Sequence, residues 1–364
     1  MLRIGSAVHQ AKGRTLTDPM TNAGISELLR RAAQDETGHR RQALERASRS
    51  ARFWAEEAQD VAASGRSLTA LRGVGPWVAA QIHGWLDDLP SVPKPDEMRR
   101  GFLTLAQVRS ALSQAPDWET APHADLQVHS TNSDGSVPLR EMAGAARDLG
   151  RSSVAITDHS QSLRIANGMD AERLERQGHE IDRLNAELAA EGDAFRVLRS
   201  MEMDVFVDGS SDMASDVVAR LDLVLGAFHS KLRLEDDQTE RYLAALRNPD
   251  IQVLAHPRAR MYGRRVGLKA DWSRVFNEAA RTGKALELDA TPARQDLDVD
   301  LARLAMRSGV RWFSIGSDAH SVSELEFLPF GLATAILAGI PRDRILNYRS
   351  PDFIRVWARE LRER

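Results

Sequence analysis

The sequence predicts a small all-α N-terminal domain followed by an α/β domain of the barrel type. Three observations carry this. Up to about residue 88, apolar residues recur at helical spacing in a polar, Arg-rich background with no β-branched run. From Asp125 onward, short apolar runs ending in polar residues alternate with helical stretches. Between the two regions lies a proline-rich break.

The helical region runs from about Ile25 to Leu86, with Gly38 and Gly65 as breaks, and ends in LTALRGVGPWVAAQIHGWL. Leu89 to Pro95 carries three prolines, which cannot continue a helix. A short helix is expected over Phe102 to Leu112, and APDWETAP reads as a second linker element. These features give domains at 1–90 and 122–364, joined by a linker at 91–121. In the second domain the strand candidates are SVAIT (153–157), FRVLRSMEMDV (195–205), LDLVLGAF (221–228), IQVLAH (251–256), ALELDA (285–290) and WFSIGSDA (312–319). Helical patterns lie between them at Pro138–Leu149, Ala171–Glu191, Gln238–Arg247, Trp272–Thr282 and Val299–Ser308. Six or seven such units favour a closed parallel barrel over an open sheet.

Composition narrows the chemistry. The 364 residues contain no cysteine, so disulfides and thiolate metal sites are excluded. The net charge of −3 gives no global field to attract nucleic acid, so any DNA contact must be local. The stretch MLRIGSAVHQAKGRT lacks the apolar core of a signal peptide, and no uncharged apolar run reaches membrane-spanning length. A cytoplasmic protein without a membrane partner is expected.

Five of the ten histidines follow predicted strands: His129, His159, His229, His256 and His320. Glu202, Asp318 and Asp134 occupy equivalent places. Strand C-termini of a parallel barrel open on one face, so residues distant in sequence converge there. A His/Asp/Glu set without cysteine suits divalent Zn, Mn or Fe.

These residues resemble the PHP (polymerase and histidinol phosphatase) family, above all the PHP domain of bacterial family X DNA polymerases. The resemblance rests on ADLQVHSTNSDGS, ITDHS (156–160), SMEMDVFVDGSSD (200–212), GAFHS (226–230), LAHPRARMYGRR (254–265), LELDATPARQDL (286–297) and IGSDAHSVSELEFLPFG (315–331), which follow in the family's order. It implies a distorted seven-stranded (β/α) barrel and metal-assisted hydrolysis of a phosphoester. It also implies two or three divalent ions: one on His129, Glu202 and Asp318, a second on Glu202, His229 and His256, a third on Asp134, His159 and His320. Glu202, His229, His256 and Asp318 would be catalytic, and Arg260 would complete the clamp on the phosphoryl oxygens. Asp158 would orient a ligand or loop. The chain departs from the family at Gln127, where a metal-binding histidine is expected. Glutamine's neutral carbonyl oxygen is a weaker ligand, so the first site is expected to bind more weakly.

Leu68 to Ile82 resembles the helix-hairpin-helix motif L-x-x-L-x-G-[IV]-G-x-x-x-A-x-x-I. Its hairpin, Gly73-Val74-Gly75, places backbone N–H groups before a helix opened by Pro76, an arrangement that binds DNA phosphate without net charge. Residues 1–90 hold 12 Lys+Arg against 10 Asp+Glu, so long-range steering is weak. About 35 residues separate hairpin and second domain, too few for a nucleotidyltransferase, so no polymerase activity is expected. No lysine lies between Lys12 and Lys94, which removes the Schiff-base amine of a deoxyribose-phosphate lyase. The expected function is a DNA-directed phosphoesterase of repair: a 3′ exonuclease, 3′ phosphatase or abasic-site endonuclease. The alternatives are a small-molecule phosphatase of the histidinol-phosphatase type and a DNA-binding protein with a degenerate metal centre.

Overall fold

The computed structural model describes residues 20–121 and 123–364. The expected leaderless N-terminus, Lys12 and the boundary residue Pro122 lie outside them. The chain forms two compact units, Met1–Lys94 and Pro95–Arg364. No helix among the described residues is long and apolar enough to cross a membrane.

In the first unit the expected long helical stretch resolves into α1 (Asn22–Ala32), α2 (Gly38–Ala51) and α3 (Ala58–Ala63), followed by a 3-10 turn and α4 (Pro76–Asp88). Thr21 caps α1 by accepting from the Gly24 N–H. Ile25, Leu29, Leu44, Ala47, Trp54, Val61, Leu68, Val78 and Ile82 form one core. Ser26 donates to the Ser48 carbonyl at 2.8 Å, fixing α1 on α2. The Trp54 indole donates to the Arg72 carbonyl at 2.9 Å and holds the turn before α4. In that turn Gly73 has φ +81°, and a Cβ there would lie 2.8 Å from Ser50 Oγ, so only glycine fits. Val74 is buried, whereas Gly75 faces open space and caps α4 ahead of Pro76.

The second unit starts before its first strand. Helices α5 (Leu105–Ser113) and α6 (Asp117–Thr120) lie in the segment expected as linker. From Pro95 on this segment belongs to the barrel unit: Val108, Ala111 and Leu112 enter the core. The barrel then follows in strict order: β1 (Asp125–Val128), α7 (Leu139–Asp148), β2 (Ser153–Ile156), α8 (Ala171–Ala190), β3 (Arg196–Asp204), α9 (Ser215–Val218), β4 (Leu223–Ala227), α10 (Thr239–Arg247), β5 (Val253–Leu254), α11 (Trp272–Thr282), β6 (Ala285–Asp289), α12 (Val299–Arg307), β7 (Phe313–Gly316), α13 (Leu328–Ala338) and α14 (Pro351–Arg362).

All seven strands run parallel and pair in sequence order. A parallel bridge between Val128 and Ala319 joins the first strand to the last, with the Asp318 N–H donating to Gln127 O at 3.0 Å. The result is a nearly closed (β/α)7 barrel, the class expected. Ile354, Trp357, Ala358 and Leu361 of α14 pack on Leu198, Leu223, Val253 and Ala285 near the strands' starts. That end is therefore plugged, and the strand C-termini form the available mouth.

Candidate metal centre

Each strand delivers a donor at or just beyond its C-terminal end. Glu202, next to last but one in β3, is fully buried at the centre. Its Oε1 lies 2.7 Å from His256 Nε2 and 3.0 Å from His229 Nε2. Its Oε2 lies 3.3 Å from His129 Nε2 and 3.6 Å from His159 Nδ1. Asp318 Oδ1 is 3.2 Å from His129 Nε2. Asp134 Oδ1 sits 3.3 Å from His320 Nε2 and 3.6 Å from His159 Nε2. The eight His, Asp and Glu residues expected as ligands thus meet at one mouth.

Three groups have donor atoms close enough to share an ion: His129, Asp134, His159 and His320; His159, Glu202 and His229; and His129, Glu202 and Asp318. The groups overlap at His129, His159 and Glu202, as ligands of adjacent ions do. Both ring nitrogens of His129, His159 Nδ1 and His256 Nδ1 are buried without a hydrogen-bond partner. Buried imidazole nitrogens in that state are costly unless they coordinate something. The donor set therefore fits hard-to-borderline divalent cations.

The electrostatics follow from this crowding. Burial alone would raise the Glu202 pKa, but the surrounding imidazoles, His159 and His256 foremost, hold it well below the usual carboxylate range. Burial opposes charge on His229, yet Asp204 and Glu202 outweigh it and push its pKa up to about 9. Burial, reinforced by neighbouring imidazoles, pulls His159 down to about 3.

Two of the expected ligands have unusual backbones: φ is +26° at His256 and +52° at Asp318. Hydrogen bonds hold both. The His256 N–H donates to Glu287 Oε2 at 2.7 Å, and the Asp318 bond to Gln127 O has been given above. Asp158 belongs to none of these three groups. It accepts from Ser130 N–H, Ser130 Oγ, Ser133 Oγ and Gln177 Nε2, and so shapes the loop that carries Asp134.

Two expected roles need correction. Arg260 is not at the centre. Its side chain is 2% exposed, and its guanidinium is consumed by the carbonyls of Arg294, Gln295, Arg100 and Gly101 and by Asp298. It braces two loops and has no donor left for a phosphate. Gln127 does face the metal layer, but with its donor: Nε2 gives a 2.9 Å hydrogen bond to Glu202 Oε2, while Oε1 is buried without a partner. The opposite amide orientation would set an oxygen against the carboxylate, so the assignment is forced by charge.

Four residues without an assigned role belong to the site. Asp204 accepts from the His229 ring at 3.3 Å and orients it. Glu287 and Asp289 are buried on β6, and burial, reinforced by neighbouring carboxylates, pushes both pKa values well up. Arg294 Nη1 lies 3.4 Å from Asp318 Oδ2, with a quarter of the side chain open to solvent. All four were reachable from the sequence. Asp204 follows Glu202 by two, and Glu287 and Asp289 alternate likewise, so each pair shares one face of its strand. Arg294 lay in LELDATPARQDL, a motif matched without roles for its members.

Comparison with known proteins adds homology. No family model matches the chain. It is 40% identical over 227 residues to the DNA polymerase/3′-5′ exonuclease PolX of Bacillus subtilis, covering 62% of this chain and 39% of that protein. It is 27% identical over 233 residues to a probable phosphatase of Syntrophotalea carbinolica, covering 61% of this chain and 90% of that one. By descent and by donor set, the C-terminal unit is a metal-dependent phosphoester hydrolase. Among solved structures, the histidinol phosphate phosphatase of Lactococcus lactis, complexed with zinc, L-histidinol and phosphate, aligns at 16% identity and a TM-score of 0.42, over 57% of this chain and 91% of that one. The chain spans about two-fifths of the length of the Bacillus PolX, so that protein's activities transfer only as proposals.

Proposed function

We propose that the hydrolase acts on DNA, as a 3′ exonuclease, 3′ phosphatase or abasic-site endonuclease of repair. The observation that carries this reading is the 40% identity to a protein whose name includes a 3′-5′ exonuclease, over a region that in this chain forms the Glu202-centred site. When bound, divalent manganese, zinc or iron would supply an activated water and neutralise charge on phosphoryl oxygens. Glu202, His129, His159, His229, His256, Asp134, Asp318 and His320 would hold two or three such ions. Asp204 keeps the His229 ring oriented, Gln127 holds Glu202, and the Arg294 guanidinium is placed to donate to a phosphoryl oxygen.

The N-terminal unit supports the DNA reading. We assign its Gly73–Gly75 turn the role of a helix-hairpin-helix phosphate contact. Open space at Gly75 lets a backbone approach, and the N–H groups of the first turn of α4 point there. Arg40, stacked 5.3 Å over Trp77, adds positive charge near the same turn.

The test is a substrate panel with Mn²⁺ or Zn²⁺: single-stranded DNA, nicked DNA with a 3′-phosphate, abasic DNA and histidinol phosphate. Cleavage of a DNA substrate that vanishes on chelation and in Glu202→Gln is expected. Cleavage of histidinol phosphate alone would establish the second reading, a small-molecule phosphatase. That reading is favoured by the match along 90% of a probable phosphatase.

A further inference from the structure

Two loops leave the metal centre directly from its ligands. One runs from His159 to α8, the other from β3, which carries Glu202 and Asp204, to α9. Both are braced. In the first, the Met169 N–H donates to His159 O at 2.7 Å, and Asn167 Nδ2 donates to Ser133 O at 3.2 Å. Arg173 donates to the carbonyls of Asn167 and Gly168. A Cβ on Gly168 would collide with Ser160 O at 1.9 Å, so this turn packs directly against the backbone that follows His159. In the second, Val205 bridges Ser211, and a Cβ on Gly209 would lie 2.4 Å from the Ala244 side chain. Ser162 joins the loops, donating its N–H to Asp212 at 2.7 Å and its hydroxyl to Asp204 at 2.8 Å.

These stiff loops present apolar side chains to water. Ile165 is 96% exposed, twice the value of Phe53, the next most exposed large apolar residue among the described ones, at 48%. Phe206 and Val207 are exposed on the second loop. Arg164, beside Ile165, is exposed and has no carboxylate partner among the described residues. A mobile tip could fold an isoleucine back onto the surface. A braced one holds it out, so ordering it costs a ligand nothing.

The phosphate of any substrate must reach the ions at the mouth, so the rest of the substrate passes over this rim. We infer that Ile165 and Phe206 form a platform for the nucleobase next to the scissile phosphate, with Arg164 beside it for the strand's charge. Apolar wedges and aromatic faces take bases of any sequence, because every base has a flat π-face. The inference rests on the DNA reading and deepens it: the substrate class becomes a base-bearing strand.

The test compares two chromogenic diesters with the same leaving group, p-nitrophenyl thymidine 5′-phosphate and p-nitrophenyl methyl phosphate. Each is assayed with the Mn²⁺-loaded full chain and with Ile165→Ala/Phe206→Ala. The native protein should favour the nucleoside ester in kcat/KM by about tenfold, the scale of one stacked base. In the variant the ratio should fall toward one. A role in folding alone would lower both rates together and leave the ratio unchanged. Equal ratios in the two proteins, or a native ratio of one, overturn the platform. Single-stranded DNA is the third arm: a native protein that cleaves the diesters but no DNA refutes the DNA reading instead.

Discussion

Gln127 offers the sharpest test of how the centre is held. Its amide donates 2.9 Å to Glu202 Oε2, and both side chains are fully buried. Gln127→Met keeps the volume and removes the donor. A hydrogen bond to a charged group contributes about 1.5–3 kcal/mol, so affinity for the ions held by Glu202 should fall by about tenfold to a hundredfold. Hydrolysis at subsaturating metal should fall with it, while excess Mn²⁺ recovers part of the rate. Gln127→His should act in the opposite direction. Imidazole is a better ligand than an amide oxygen, and 1.4 kcal/mol of added transition-state stabilisation raises the rate about tenfold. The assay is metal titration by calorimetry alongside kcat across Mn²⁺ concentrations, and the expected order is Met below Gln below His. If Gln127→Met binds metal as tightly as the native protein, the amide does not hold Glu202 and the reasoning fails. If Gln127→His gains nothing, an imidazole at this position adds no ligand to the ions.

Further outcomes concern two arginines, two glycines and one lysine. Arg294→Ala should lower kcat by about tenfold to a hundredfold with the fold intact. Arg260→Ala should instead destabilise the barrel unit by about 3–5 kcal/mol by breaking a buried charged network, and urea unfolding beside kinetics separates the two. Gly75→Val should weaken DNA binding and cost the N-terminal unit about 1 kcal/mol, the loss of a good N-cap residue in otherwise open surroundings. Gly73→Val should destabilise the N-terminal unit, because φ is +81° and Ser50 blocks a Cβ; a DNA affinity indifferent to Gly75→Val would leave the turn as architecture. Lys284 is buried, donates to the carbonyls of Asn248 and Ile251, and is pulled down by burial to a pKa of about 8 from 10.5. Between those values the unfolded chain binds the proton and the folded chain does not, so stability relative to Lys284→Met should rise from pH 8 to 10.5. A flat difference in urea midpoint across that window would refute a depressed lysine.

The alternation of apolar runs and helical periods made the barrel legible, and its element positions hold to within a few residues, as at Trp272–Thr282. Helix α13 was not legible. Its sequence, LPFGLATAILA, is apolar on every side because it lies between α5, α12 and the sheet, so no polar face gives it a period. Residues 95–121 read as a linker because prolines and a short helix look alike in tethers and in docked segments. What docks them is long-range: Gln295 Oε1 accepts from Leu103 N–H at 2.7 Å, and Arg260 grips the carbonyls of Arg100 and Gly101. No local pattern encodes a partner about 190 residues away.

The same limit explains the two corrected residues. Sequence gave each the right neighbourhood, since Gln127 lies two residues before His129 and Arg260 four after His256. Strand alternation placed Gln127 on the metal face correctly. It could not say which end of the amide faces inward, because that depends on Glu202, 75 residues away. Arg260 lies beyond its strand, where no periodicity applies, and its direction is set by the carbonyls of Arg294, Gln295, Arg100 and Gly101. Arg294 reaches Asp318 from a loop with the same composition of small and charged residues. A guanidinium binds phosphate only where the protein leaves its donors unspent. That criterion concerns hydrogen bonds, and it separates Arg294 from Arg260 even though both stand a few residues past a strand end beside the same mouth.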